Sequence, residues 1–305
     1  MNDSAHIFKQ IRQAVEHLTD PAVPEYQNIP LHQKPTPSVP AVCEIMQLLK
    51  RVIFPGFFGP SHEALVDLVK HYTFGHLLRI HHLLVEQVDS SLCLESNCPD
   101  EHREEASQIA LNFIDQIHTV RQLLATDVKA IVNGDPAATG VSEVIFCYPA
   151  VKAIFHQRVA HELYRLGVPF LPRMITEMAH TETGIDIHPG AQIGRYFSID
   201  HGTGVVIGQT AVIGNHVRLY QGVTLGAKRF RFDDSGLPVN TPRHPIIEDN
   251  VTIYSNTSVL GRITIGHGSI IGGNIWLTNN VPPNSRILQS RAVSDQENSS
   301  NQKLS

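Results

Sequence analysis

Apolar residues follow two different periods along this chain, and the change falls near residue 180. Before that point they recur three and four positions apart, as on one face of an α-helix. Glycine closes two of the helical segments, and Ser61 is the expected N-cap of the first. The helical segments are 62–88, 102–134 and 148–167. Residues 1–183 are therefore predicted to form an all-helical N-terminal domain.

From Gly184 onward an aliphatic residue recurs every six positions, and a second small or aliphatic residue recurs inside each hexad. The first set comprises Ile187, Ile193, Ile199, Ile207, Ile213, Leu219, Leu225, Ile247, Ile253, Val259, Ile265, Ile271 and Leu277. A six-residue period is typical of a parallel β-helix in which three hexads make one triangular coil of ~18 residues. We predict an α+β fold, with a left-handed parallel β-helix of hexapeptide repeats over 184–285 and a polar C-terminal tail over 286–305.

The hexad count is interrupted twice. Two extra residues separate Ile199 from Ile207, and a polar, proline-rich stretch separates Leu225 from Ile247. Insertions in a solenoid map to loops on one face, which is often the binding face. The first interruption and the inserted loop 226–246 are therefore where we expect the chemistry.

Composition narrows the class of protein without naming a reaction. Of the 305 residues, 42% are hydrophobic and 17% charged, as in a soluble globular protein, and the net charge of −5 gives no reason to expect nucleic acid as a partner. No stretch reaches the length of a membrane span and no secretory signal is visible. Four widely spaced cysteines suit a reduced, cytoplasmic protein.

Four polar residues crowd the start of the repeat, where Asp186, His188, Asp200 and His201 lie within sixteen positions. A histidine oriented by a carboxylate is a good general base. Asp186 and His201 are fifteen residues apart, a spacing that a coil of ~18 residues brings close together. The plain alternative is that these Asp and His residues merely occupy turns, where polar residues are common. A zinc site of the γ-carbonic-anhydrase type is another, although no His-x4-His pair follows residue 180.

Several motifs in a fixed order carry a resemblance to a known family. They read "GDPAATGVSEVIFCYPAVKAIFHQRVAHELY", "GIDIHPGAQIG", "IDHGTGVVIG", "LYQGVTLGA" and "RHPIIEDNVTIYSNTSVLG". Between about residues 135 and 283 the chain resembles the serine O-acetyltransferases, which acetylate L-serine for cysteine biosynthesis. The first 130 residues match only in being helical.

The resemblance implies a role for each matching position. His201 would be the general base, oriented by Asp186. Asp135 and Asp200 would hold the ammonium of serine. Arg243 and His244 would hold its carboxylate, with His244 also close to the reacting atoms.

The resemblance also implies the ligands and the assembly. Acetyl-CoA would be a co-substrate in a groove between subunits, with no permanent cofactor and no metal. Homotrimers, or dimers of trimers, are expected, with L-cysteine as a feedback inhibitor. The small residues that would let the pantetheine arm approach are Gly226, Ala227, Ser255 and Gly273.

Two departures from the family pattern stand out. Gln209 replaces a glutamate that many relatives carry. The chain ends "ENSSNQKLS", without the C-terminal isoleucine that relatives insert into O-acetylserine sulfhydrylase, which argues against a stable complex with that enzyme.

An acetyltransferase for a sugar or homoserine, and a γ-type metalloenzyme, are the alternative functions.

Overall fold

The computed structural model describes residues 2–20, 35–58, 66–95, 102–229 and 231–289. The chain divides into two compact units, residues 1–36 and 37–305. The first unit contains helix α1 (Asn2–Leu18), whose residues Ile7, Phe8 and Ile11 are exposed. The predicted N-cap Ser61 and nearly all of the predicted tail lie outside the described residues.

Within the described residues, six helices precede the strands of the second unit. They are α2 (Val39–Ile53), α3 (Val66–Glu95), α4 (His102–Gly134), α5 (Val141–Cys147), α6 (Pro149–Arg165) and α7 (Leu171–Thr183). The backbone N–H of Ala41 donates to the side chain of Ser38, the N-cap of α2. Gly184 ends α7 in the left-handed conformation, with φ of 68°. Helix α4 has the bounds that the hydrophobic pattern predicts.

The fourteen strands described after α7 are two or three residues long and pair in parallel. They are β1 (Asp186–Ile187), β2 (Gln192–Ile193), β3 (Ser198–Asp200), β4 (Val206–Ile207), β5 (Val212–Ile213), β6 (Arg218–Tyr220), β7 (Thr224–Gly226), β8 (Ile246–Ile247), β9 (Thr252–Ile253), β10 (Ser258–Leu260), β11 (Thr264–Ile265), β12 (Ile270–Ile271), β13 (Trp276–Leu277) and β14 (Arg286–Ile287).

Three sheets form the sides of a triangular prism. Face 1 holds β1, β4, β7, β10 and β13; face 2 holds β2, β5, β8 and β11; face 3 holds β3, β6, β9, β12 and β14. Most of the predicted leading aliphatics are almost fully buried, and Ala191, Ala211 and Val217 of the second set are completely buried. The predicted fold class, helices followed by a parallel β-helix of hexapeptide repeats, is confirmed.

Strand register shows what each interruption does. Val206 pairs with Thr224, so an uninterrupted coil takes 18 residues. Asp186 pairs with Val206, twenty positions on, and the two extra residues belong to the turn after β3. Thr224 pairs with Ser258, because the chain leaves face 1 after Gly226 and returns to the solenoid at β8. The predicted domain boundary at residue 184 falls where helix gives way to strand, but it stays a prediction because residues 37–305 form one compact unit.

A buried ion pair joins the helices to the first coil. The Arg158 guanidinium on α6 contacts the Asp127 carboxylate on α4 at 3.1 Å, and both side chains are at most 5% exposed. Arg158 also donates to the carbonyl oxygens of Ile193 and Gly194, and Asp127 accepts from the N–H of Phe197. The free end of the solenoid is therefore covered by helices that satisfy its backbone groups.

Histidine burial makes stability depend on pH. His156 on α6 is buried with Nδ1 2.8 Å from the Lys152 carbonyl, and burial lowers its pKa from 6.5 to about 4. Between these values the unfolded chain binds a proton that the folded chain does not, so stability falls as pH falls from 6.5 to 4. We expect His156→Asn to reduce the slope of unfolding free energy against pH by up to about 1.4 kcal/mol per pH unit.

Urea unfolding at several pH values between 4.5 and 7 measures this slope. His118→Asn is a matched control, because His118 places Nδ1 2.7 Å from a backbone carbonyl of α4 but is exposed. An unchanged slope in His156→Asn would show that the proton taken up on unfolding binds elsewhere.

Candidate active site

His201 lies at the turn between face 3 and face 1, within the first interruption of the repeat. Its φ is 58°, and Gly202 and Gly204 follow with φ of 91° and 78°. Non-glycine residues seldom adopt this left-handed conformation, although histidine is among those that do. The His201 side chain is 72% exposed, and its Nδ1 lies 3.8 Å from the Asp200 carboxylate. The irregular turn therefore presents an imidazole to solvent beside an acid.

Asp135 lies close to this turn, directly after α4. Its carboxylate accepts hydrogen bonds from the Tyr148 hydroxyl at 2.5 Å and from the Ala137 N–H at 2.8 Å. These two bonds lower the pKa of Asp135, and the charge of His201 adds to the effect. The Tyr148 bond in turn raises the pKa of that phenol to about 12. We call Asp135, Asp200 and His201 the acid–histidine cluster; the structure brings together the residues predicted for the base and the ammonium site.

Arg218 on β6 ties the Asp135 turn to face 3. Its guanidinium donates to the Gly134 carbonyl at 2.9 Å and helps to lower the pKa of Asp135. A Cβ on Gly134 would overlap the guanidinium in this position, so a side chain there would displace the end of Arg218. Tyr148 and Arg218 were not found from the sequence. The sequence signal for Tyr148 was its position directly before Pro149 at the start of α6. Arg218 faces outward from a strand, and no sequence signal marked it as functional.

Arg243 and His244 lie at the other edge of face 1, at the turn between faces 1 and 2. The Thr210 hydroxyl oxygen accepts from the N–H of Arg243 at 2.9 Å and from the N–H of His244 at 3.1 Å. Arg262 donates to the carbonyl oxygens of Thr210 and His244. These bonds hold the end of the inserted loop on the solenoid. We call Arg243, His244, Thr210 and Gln209 the arginine–histidine cluster.

The hydrogen bonds of His244 assign its tautomer. The backbone N–H of Thr210 donates to Nδ1 at 3.1 Å, and the Thr210 hydroxyl lies 2.9 Å from the same atom. Nδ1 is therefore the acceptor and Nε2 carries the proton. Burial, with the charges of Arg243 and Arg262, lowers the pKa of His244 to about 4. His244 is thus a neutral ring that offers one N–H donor at neutral pH.

Gln209 bridges Arg243 to helix α6. Its Oε1 accepts from the Arg243 guanidinium at 2.9 Å, and its Nε2 donates to the Tyr164 hydroxyl at 3.1 Å. The residue that departs from the family pattern is therefore a direct partner of the predicted carboxylate ligand. His188 lies nearby, and burial, then the charges of Arg173, His244 and Arg243, lower its pKa to about 4.

Asp186 contacts a different partner from the one predicted. Its carboxylate accepts from Arg173 of α7 at 3.4 Å, and no hydrogen bond or ion pair joins the described side chains of Asp186 and His201. Glu177, His180 and Asp186 lie close enough to share a cation. Arg173 forms ion pairs with both carboxylates of this group, so a guanidinium already supplies the positive charge.

The four residues predicted for acetyl-CoA fall into two pairs. A Cβ on Gly273 would lie 3.1 Å from the Ser255 carbonyl oxygen and 3.3 Å from its Oγ, so these two residues are neighbours at the turn before face 1. Gly226 ends β7 and Ala227 follows at the opposite edge of face 1. The structure places both pairs along face 1 but brings together only Ser255 and Gly273.

The two clusters are separated by the width of face 1. Face 1 is crossed at this level by β4 (Val206–Ile207), between turns at Gly204 and Gln209, and five residues of ~3.3 Å each span at most roughly 16 Å. The ammonium and carboxylate of one amino acid are attached to the same carbon. An amino acid, whose two charged groups are this close together, is shorter than the width of face 1.

The fold and the acid–histidine cluster together indicate a class of protein, and similarity to known proteins identifies the family. A parallel β-helix of hexapeptide repeats with an exposed histidine beside carboxylates is the arrangement expected of a hexapeptide-repeat acyltransferase. No protein-family model matches the chain. A serine acetyltransferase of Synechococcus elongatus is 47% identical over 270 residues, covering 86% of this chain and 84% of the relative. The chain belongs to the serine acetyltransferase family.

Solved structures of serine acetyltransferases have the same fold as this chain. Serine acetyltransferase 1 of Entamoeba histolytica in complex with L-cysteine superposes with a TM-score of 0.71 and 34% identity, covering 89% of this chain and 93% of that one. Soybean serine acetyltransferase in complex with serine superposes with a TM-score of 0.52 and 27% identity, covering 83% and 96%. Within the described residues no helix has the length and apolarity that crossing a membrane requires.

Proposed function

We propose that this chain transfers the acetyl group of acetyl-CoA to the hydroxyl of L-serine, giving O-acetylserine for cysteine biosynthesis, with His201 as general base. The acid–histidine cluster carries the proposal, because it sets two carboxylates for an ammonium beside an exposed imidazole for a hydroxyl. Membership of the serine acetyltransferase family supports the reaction over sugar, homoserine and carbon dioxide chemistry.

The mechanism is direct transfer. His201 takes the proton of the serine hydroxyl as that oxygen attacks the thioester carbonyl, and a tetrahedral oxyanion forms. Collapse of the oxyanion breaks the carbon–sulfur bond, and the imidazolium returns its proton to the coenzyme A thiolate. All four cysteines precede residue 184, so the β-helix supplies no thiol nucleophile.

Serine is bound at its two ends by two chains. Asp135 and Asp200 of one chain hold the ammonium. Arg243 and the Nε2–H of His244 from a second copy hold the carboxylate; the position of the two clusters at opposite edges of face 1 supports this division. The assembly is a homotrimer or a dimer of trimers, in which such heterologous contacts close into a ring.

Acetyl-CoA lies in the same intersubunit groove. Ser255 and Gly273 present a small-residue corner to the pantetheine arm, and Gly226 and Ala227 line the far edge of face 1, where the neighbouring chain adds to the groove. Asp186 orients His201 in the assembled site. We also propose a cytoplasmic location, which suits the free thiols of Cys43 and Cys147.

An acceptor panel tests the proposed activity. Loss of the thioester absorbance of acetyl-CoA is followed with L-serine, L-homoserine and a galactoside. We expect L-serine to be acetylated at least about 100-fold more efficiently than the galactoside, which lacks the ammonium and carboxylate that the charged residues would hold; L-homoserine keeps both charges and tests the distance from the α-carbon to the hydroxyl. Equal rates with a galactoside would remove the serine assignment.

Thr210 is expected to position His244. Thr210→Val removes the hydroxyl that accepts from two backbone N–H groups and donates to Nδ1 of His244. Each group left without a partner costs about 1–3 kcal/mol. We expect the KM for serine to rise at least about tenfold and that for acetyl-CoA to change little. Thr210→Ser keeps the hydroxyl, so its KM for serine should equal that of the wild type.

Nitrogen-15 NMR of labelled histidine reads the tautomer directly. The shifts of His244 should report the Nε2–H tautomer in the wild type, in Thr210→Ser and in Thr210→Val, because the backbone N–H of residue 210 donates to Nδ1 in all three. An Nδ1–H ring in any of the three proteins would show that this backbone hydrogen bond does not set the tautomer.

L-Cysteine is expected to inhibit competitively with L-serine. Both amino acids share the ammonium and carboxylate, and the cysteine thiol is far more acidic than a serine hydroxyl, so it can form a thiolate–imidazolium pair with His201. We expect inhibition at concentrations well below the KM for serine. Initial rates at fixed cysteine concentrations measure this, with L-alanine as the control that lacks the thiol. Inhibition that saturating serine does not relieve would place cysteine at another site.

A further inference from the structure

A cleft with no part in the chemistry above lies among helices α2, α5, α6 and α7. It encloses about 450 Å³, within the range of small-molecule sites. Its apolar lining includes Met46, Phe54, Ile145, Val151, Phe155 and Met178. A cleft of this size and lining can take a compact apolar body of about two rings.

Two lysines give the cleft a positive charge. Lys50 and Lys152 both line it, and burial lowers the pKa of each. Glu182, the one carboxylate among the described lining residues, forms an ion pair with Lys152. The Lys50 ammonium lies 3.9 Å from the centre of the Phe58 ring. His156 is neutral at pH 7 because burial lowers its pKa to about 4.

We propose that this cleft binds a small organic anion, with its carboxylate, sulfonate or phosphate between Lys50 and Lys152 and its apolar body against the aromatic and methionine lining. Two ammonium groups partly removed from water and opposed by one carboxylate gain a charge-assisted partner when an anion enters. The apolar walls contribute burial in addition.

The cleft is connected to the acid–histidine cluster through one residue. Tyr148 lines the cleft, and its hydroxyl is the 2.5 Å donor to Asp135. A ligand packed against Tyr148 therefore acts on the residue that holds the proposed ammonium ligand in place. We expect occupancy of the cleft to change the KM for serine; this step rests on the proposed function, whereas anion binding does not.

Paired probes test anion binding without substrates. The anionic probe is 8-anilinonaphthalene-1-sulfonate and its neutral counterpart is N-phenyl-1-naphthylamine, both followed by fluorescence on the full chain. We expect the anion to bind at least about tenfold more tightly, and this selectivity to fall below about threefold in Lys50→Met/Lys152→Met. Methionine keeps the length and apolar stem of lysine, and retained binding of the neutral probe shows that the double variant still forms the cleft.

Arg121→Met/Lys129→Met is the matched control, because these cations line a neighbouring apolar cleft of about 460 Å³. Its selectivity should equal that of the wild type. Equal selectivity in wild type and Lys50→Met/Lys152→Met, or a loss confined to the control, would overturn the proposal. With the anion saturating, an unchanged KM for serine would overturn the link through Tyr148. A chain without serine acetylation but with lysine-dependent selectivity would refute the proposed function alone.

Discussion

His201→Asn is expected to lower kcat by about 10²–10⁴, the usual contribution of a general base. Asparagine is the substitution of choice because Asn250, Asn256 and Asn274 hold the same left-handed conformation at other turns of the solenoid. The backbone of the turn should therefore survive while the proton acceptor is lost. Binding of acetyl-CoA should change little, since the imidazole acts on the serine hydroxyl.

A second histidine provides the control. His216 has φ of 56° at the turn between β5 and β6 and is also exposed. Its ring stacks on Tyr196, away from the acid–histidine cluster. His216→Asn should keep the wild-type kcat. A kcat within about threefold of the wild type in His201→Asn would remove His201 from the proton transfer.

Much of the fold follows from periodicity, because each coil repeats the same burial requirement every six residues. Ile207, Leu225 and Val259 occupy one buried column for that reason, and the sequence shows the column without any structure. The interruption at His201 was visible in the same count. The conformation of the turn was not, because two extra residues can be accommodated in several ways.

The predicted contact of Asp186 with His201 shows where spacing fails. A separation of fifteen residues suggests proximity in an 18-residue coil, but this coil takes twenty, and Val206 pairs with Asp186. His201 therefore lies five positions earlier, on the turn. Arg173 reaches Asp186 from a helix whose orientation no repeat pattern encodes. The dyad stays a prediction for the assembled enzyme.

The sequence also could not predict that the acid–histidine cluster and the arginine–histidine cluster are separated. Asp200 and Arg243 carry opposite charges, and nothing in their spacing says that their clusters lie at opposite edges of face 1. Charge types at an amino-acid site can be read from a chain, whereas the number of chains that complete the site depends on which edge each turn occupies.

Subunit complementation is expected to reveal the two-chain site. Arg243→Ala should raise the KM for serine steeply, at a cost of ~2–5 kcal/mol, because the serine carboxylate loses its cationic partner. His201→Asn should lose turnover. Each homotrimer alone lacks complete sites, but in a mixed trimer one interface joins an intact His201 of one chain to an intact Arg243 of the next.

Co-expression with two different tags and purification on both selects mixed trimers. In a ring of three heterologous contacts, either mixed composition leaves one complete interface, so about one third of the wild-type activity should return. His201→Asn mixed with Asp135→Asn is the control, because both changes fall in one cluster and every interface stays defective. Recovery in the first mixture and none in the second requires that serine lies between two chains. If the first mixture also stays inactive, Arg243 and His201 must serve the same site from one chain, and the width of face 1 would have to close by a movement of the inserted loop.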